Sequence, residues 1–172
     1  MAQVNYSDNG LIFITKSTFS SVSSVSIDNC FSADYSQYKI IIDASGPSVN
    51  QINMRMRASG SDNSSADYNV QFVGTSGGTS VIAARNASTT SFEVVTYSRA
   101  NSAICLLEIL NPYQSTYTSG LTITGLTPET TSLAVYTRAY GMDVTTSYDG
   151  LTLLPDTSTF SGTVYVYGYV GS

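Results

Sequence analysis

The chain has 172 residues, with 42% hydrophobic but only 11% charged residues and a net charge of -5 at pH 7, a length that makes one domain able to fold without staples. Two lysines and five arginines give no cationic track for phosphates, which argues against nucleic acid as a partner, and the lack of histidine removes the commonest metal ligand and general base. No apolar run approaches the roughly 18 residues of a membrane-spanning helix, and Met1 to Gly10 is too polar to open a secretory signal, so a chain made in a cytoplasm and used without export is expected.

With charges scarce, 28 Ser, 21 Thr and 13 Tyr must solvate the exterior, the composition of a β-rich surface. In chain order, Leu11 to Thr15 and Val22 to Ile27 read as strands in a first segment set apart by Asp28-Asn29. Residues 1–30 are therefore expected to be an N-terminal arm or docking strands, and residues 31–172 the main domain. Tyr38 to Ala44 follows. Ile52, Met54 and Met56 then alternate with Asn53, Arg55 and Arg57, a period of two that puts the arginines on a solvated face. Further strands are read at Tyr68 to Val73, Val81 to Ala84, Ser91 to Thr96, Ile104 to Leu110, Leu121 to Thr124, Leu133 to Tyr140 and Leu151 to Leu154. Last, Val164, Val166 and Val170 alternate with Tyr165, Tyr167 and Tyr169, giving one aliphatic face and one tyrosine stripe. The total is about a dozen strands, none longer than about nine residues.

The separators carry turn chemistry: Asp8-Asn9-Gly10, Asp43 to Pro47, Ser59 to Asn63, Gly74 to Gly78, Asn111-Pro112 and Tyr148-Asp149-Gly150 supply residues for positive φ, or Pro to set φ. Turn signals every 8 to 12 residues or so predict an all-β protein, an antiparallel β-sandwich of jelly-roll type. Ser59 to Asp67 and Gly74 to Ser80 are expected to be exposed loops at one end of it, with Asp62, Asn63, Ser64 and Asp67 on the first.

Most of the nine aspartates sit in turns, where the side chain bonds its own backbone. The Asp62 to Asp67 loop is rich in oxygen but lacks the glycine and bidentate glutamate of a calcium loop, so no metal or other cofactor is expected. Glu93 and Glu108 lie inside strands and are the one pair to nominate for glycoside cleavage, which needs two carboxyls about 5 to 9.5 Å apart across a groove. The plainer reading has each facing solvent or pairing with an arginine such as Arg85 or Arg99, and no catalytic residue is assigned. Cys30 and Cys105 are far apart in sequence and read as reduced, buried thiols.

Tyrosine covers a large area at low entropic cost and keeps a wettable hydroxyl. Tyr165, Tyr167 and Tyr169 are therefore either an interface or a stripe covered by a second sheet or the arm. Tyr113, Tyr117, Tyr136, Tyr140 and Tyr148 either extend that surface or line a sugar-binding platform.

The segments Tyr38 to Ile42, Ile52-Asn53-Met54-Arg55-Met56-Arg57-Ala58-Ser59-Gly60-Ser61-Asp62-Asn63-Ser64, and Tyr148 to Pro155 running into Phe160 to Tyr169 resemble a module of small virion structural proteins of tailed bacteriophages. The likeness is to head-decoration and tail-fibre proteins of marine and cyanobacterial phages, and it covers Phe31 to Val170. The resemblance implies a non-enzymatic jelly-roll-like sandwich mounted on a virus particle. An acidic surface is unsuited to the packaged genome, which implies the outer surface of head or tail. The expected partners are the major capsid protein or other virion proteins, and further copies of the chain as a trimer or dimer. A capsid decoration (cement) protein is the first reading, because the chain has no room for a fibre shaft. A tail-fibre or tail-tip subunit that binds host surface glycan is the second, and a polysaccharide-degrading spike enzyme is remote.

Overall fold

The computed structural model describes residues 10–46, 49–76, 80–98, 100–128 and 134–171. Turn positions Asp8, Asn9, Pro47, Gly77 and Gly78, together with Arg99 and Leu133, lie outside the described residues. Among those described there are strands and no helix, hence no helix long and apolar enough to cross a membrane.

The strands are β1 (Gly10–Val22), β2 (Val25–Ile27), β3 (Gln37–Ser45), β4 (Val49–Ala58), β5 (Ser61–Asp62), β6 (Tyr68–Ser76), β7 (Val81–Thr89), β8 (Phe92–Ser98), β9 (Ala100–Leu110), β10 (Ser119–Pro128), β11 (Ala134–Met142), β12 (Gly150–Pro155) and β13 (Phe160–Val170). All pairings are antiparallel and form two packed sheets. The large sheet runs β1-β13-β3-β9-β10-β11-β6-β7. The small sheet runs β2-β12-β4, with β8 and the short β5 sharing the far edge of β4.

The chain wraps: β1, β3, β9 and β13 go to one sheet, while β2, β4, β8 and β12 go to the other. That alternation is the jelly-roll-like sandwich read from the turn spacing. The antiparallel pairs β6-β7 and β10-β11 widen the large sheet beyond β9. The first segment supplies an edge strand to each sheet, β1 against β13 and β2 against β12. Strands exceed the expected length, since β1 alone has 13 residues. Val22 closes β1 against Phe160 rather than opening β2, after a kink in which Ser21 adopts φ 53°.

The period-two readings set the core. Ile52, Met54 and Met56 of β4 and Leu151 and Leu153 of β12 are buried. They face Ile40, Ile42, Leu107, Val164 and Val166 of the large sheet. Burying each such side chain contributes roughly 1.5–3 kcal/mol. The inner face of β13 ends at Gly168, where a Cβ would lie 2.5 Å from the Tyr35 ring. Glycine there lets Tyr35 lie flat on the strand and meet Tyr38 edge-on at 5.8 Å.

Candidate functional site

The outer face of the large sheet is the feature that packing within the subunit leaves unexplained. Tyr165, Tyr167 and Tyr169 stand on it, half-buried. Their neighbours on β1 cover part of the stripe: Phe13 meets Tyr167 edge-on at 5.8 Å, and the Lys16 ammonium lies over the Tyr165 ring at 5.4 Å. Across β3 and β9, Tyr169 donates to Glu108 at 2.5 Å, Gln37 donates to its other oxygen at 2.8 Å, and Lys39 pairs with it at 3.6 Å. The hydrogen bond to Glu108 raises the Tyr169 phenol to about 12.

Beyond this polar knot the face turns apolar. Ile41 pairs with Leu106 and Leu106 with Ile123, while Leu121 sits opposite Glu108. Ile123 is 55% and Leu121 58% exposed. Ile104, Val135 and Val73 continue the patch to β6, each about half exposed. At about 4.8 Å per strand and 3.4 Å per residue, the face spans roughly 24 by 20 Å from β13 to β6. Its apolar part runs from Ile41 on β3 to Val73 on β6, and exposed apolar patches of this kind mark interaction sites.

Within this sheet, β10 and β11 turn polar groups inward. Thr122, Thr124 and Arg138 are fully buried while Leu121 and Ile123 face out. The cause lies in β8. A bulge leaves Val94 without a partner on β4, because Ile52 pairs with Val95 and Asn53 with Glu93. Such a bulge disrupts the local ladder, and two carbonyls of this stretch are satisfied from the facing sheet instead. The Thr124 hydroxyl donates to Val94 at 2.9 Å and the Tyr140 hydroxyl to Glu93 at 2.7 Å. Arg138 pairs with the Glu93 carboxylate at 3.0 Å and lies against the rings of Tyr136 (5.0 Å) and Phe72 (5.8 Å).

These placements correct several expectations. Glu93 points to the inner side of the large sheet and Glu108 stands on its outer face, so no groove holds both carboxyls. Their cationic partners are Arg138 and Lys39, not Arg85. Tyr136, Tyr140 and Tyr148 are buried core residues, because alternation on β11 turns the first two inward. Only Tyr113 and Tyr117 are exposed.

The Ser59 to Asp67 segment precedes β6; of the Gly74 to Ser80 segment, Gly74 to Ser76 belong to the other end of β6 and residues 77–79 lie outside the described residues. In the first, Ser64 is exposed but Asp62, Asn63 and Asp67 are half-buried. Arg57 explains this: it pairs with Asp62 and, at 2.7 Å, with Asp28. Partial burial works against the Arg57 charge, but its bonds to Asp28 and Asp62 outweigh that and raise its pKa. The Asn63 amide donates to Asp67 at 3.0 Å and to the Tyr148 hydroxyl at 2.8 Å. A guanidinium thus sits among these carboxylates, and no group of three metal-ligating side chains occurs among the described residues.

Cys30 and Cys105 are unpaired and buried, and burial pushes their thiols up to about 12 and about 11. The sequence reading missed the outer apolar face. Its one signal was Leu121-Thr122-Ile123-Thr124, a strict alternation whose orientation depends on what β8 needs from its neighbours. No protein family, no curated protein and no solved structure matches this chain.

Proposed function

We propose that the chain is a non-enzymatic structural subunit of a phage virion, a capsid decoration protein on the outer surface of the head. The observation that carries this reading is the apolar outer face of the large sheet, with Leu106, Leu121 and Ile123 at its centre and the tyrosine stripe at its side. Leaving about half of each such side chain in water forgoes stabilisation that association recovers. Charge is sparse at the centre of the patch, as in interface cores, and the one nearby ion pair, Lys39 with Glu108, is internally matched. Association through this face joins copies of the chain as a trimer or dimer and leaves the small sheet outward. The acidic balance of the whole chain, -5, keeps the assembly away from packaged nucleic acid.

The test is copy number in purified virions, by quantitative mass spectrometry against the major shell protein. A ratio near one, or near one to a small integer, supports decoration. A ratio of a few per cent overturns the head placement in favour of the tail, and absence from virions overturns the structural reading.

A further inference from the structure

A second site lies on the other side of the molecule, where the small sheet stops at β8 while the large one continues through β6 and β7. An open cleft of about 240 Å³ forms there. Its floor is Val70 and Glu93, and its walls are Gln51 and Asn53 from β4, Asn86 from β7, and the β7–β8 turn through Thr89, Thr90 and Ser91. One lining residue is apolar, one is charged, and the rest are amides and hydroxyls.

The groups divide into a fixed set and a free set. Glu93, 8% exposed, is held from behind by Arg138 at 3.0 Å and from the side by the Gln51 amide at 3.1 Å. Thr89 donates within the chain to the carbonyls of Tyr68 and Ser91, and Arg55 ties down the Thr90 carbonyl at 3.1 Å. The side chains of Asn53, Asn86, Thr90 and Ser91 carry no hydrogen-bond partner among the described residues. Glu93, Gln51 and Thr89 are thus held in place, while four polar ends face the cleft and its solvent, each offering both a donor and an acceptor.

This pattern selects its ligand. An anion meets the Glu93 carboxylate, a cation finds a single carboxylate already paired with Arg138, and an apolar group meets amides. A neutral polyhydroxylated ring matches, because each of its hydroxyls donates and accepts. The volume is below the roughly 300–1,000 Å³ of drug-sized sites, which limits the occupant to one ring. We propose that the cleft binds a single neutral sugar residue of a glycan, with Asn53, Asn86, Thr90 and Ser91 as the contacting side chains.

The test is an amide-resolved NMR titration of the intact protein with the methyl glycosides of glucose, galactose, mannose and N-acetylglucosamine. At least one is expected to shift the resonances of Asn53, Asn86, Thr90 and Ser91 with millimolar affinity, and sodium phosphate is expected to shift none of them. Asn86→Ala, on an exposed edge strand, and Asn53→Ala should each weaken binding about tenfold, the effect of one lost hydrogen bond of about 1.4 kcal/mol, with the remaining spectrum unchanged. No shift at tens of millimolar glycoside, or shifts that survive Asn86→Ala undiminished, overturns the site. The site is independent of the assembly reading, since virion copy number is set at the opposite face.

Discussion

Replacing Arg138 with methionine should be among the most damaging single changes in this protein. Arg138 is fully buried and its guanidinium lies 3.0 Å from Glu93, itself 8% exposed. At an effective dielectric constant of about 20, two unit charges at that distance attract by about 5.5 kcal/mol. Removing the cation leaves the Glu93 carboxylate in the sandwich without its counter-charge, while the Gln51 amide stays at 3.1 Å and does not replace the lost hydration. Breaking a buried pair in this way costs about 3–5 kcal/mol, which for a domain of this size lowers the melting temperature by roughly 6–20 °C. Glu93→Gln should cost a similar amount by stranding the guanidinium. The double variant Arg138→Met with Glu93→Leu removes both charges and should recover most of the loss. Urea unfolding followed by tyrosine fluorescence, with a thermal scan beside it, reads all three. If Arg138→Met costs under about 1 kcal/mol, or if the double variant costs the sum of the singles, the pair is not the electrostatic unit described here.

Thr124→Val is isosteric but removes the donor to the Val94 carbonyl, and should cost about 1–3 kcal/mol in the same urea assay. Gly168→Ala puts a Cβ 2.5 Å from the Tyr35 ring and should cost about 1–3 kcal/mol by forcing that ring off the strand, with Tyr35→Ala in the same background recovering part of it. Cys30 and Cys105 should not react with a thiol reagent at pH 8 in the folded state, and both should react in denaturant. Because folding raises these thiols above the usual 9.0, to about 12 and about 11, their contribution is fully present below pH 9. It should fall as pH climbs through the two raised values; a urea midpoint constant from pH 8 to 11 would refute this.

The strands were legible wherever one face is buried and the other wet, as in Ile52 to Arg57 and Val164 to Tyr169, because period two then encodes both the strand and its facing. The site was less legible. Ile104-Cys105-Leu106-Leu107 is apolar on both faces, so its pattern does not distinguish a doubly covered strand from one with an apolar exterior. The Leu121 to Thr124 alternation was visible, but burial by hydrophobicity alone would turn Leu121 and Ile123 inward. Their outward facing follows from the bulge in β8, a tertiary fact with no local signal. Arg138 illustrates the same limit: an arginine on a strand reads as solvated until a partner such as Glu93, distant in sequence, is brought to it. The Asp62 loop looked exposed because its composition is polar, yet Arg57 and Tyr148 hold it against the small sheet.

The most direct test of the central claim, that the outer face of the large sheet is an assembly surface, is the solution mass of the protein beside that of a Leu121→Lys, Ile123→Lys double variant. Sedimentation equilibrium should give the parent chain as two or three times 18.3 kDa, and the variant as a monomer with an unchanged circular dichroism spectrum. A parent chain that stays at 18.3 kDa across the concentration range, or a variant that associates as the parent does, contradicts it.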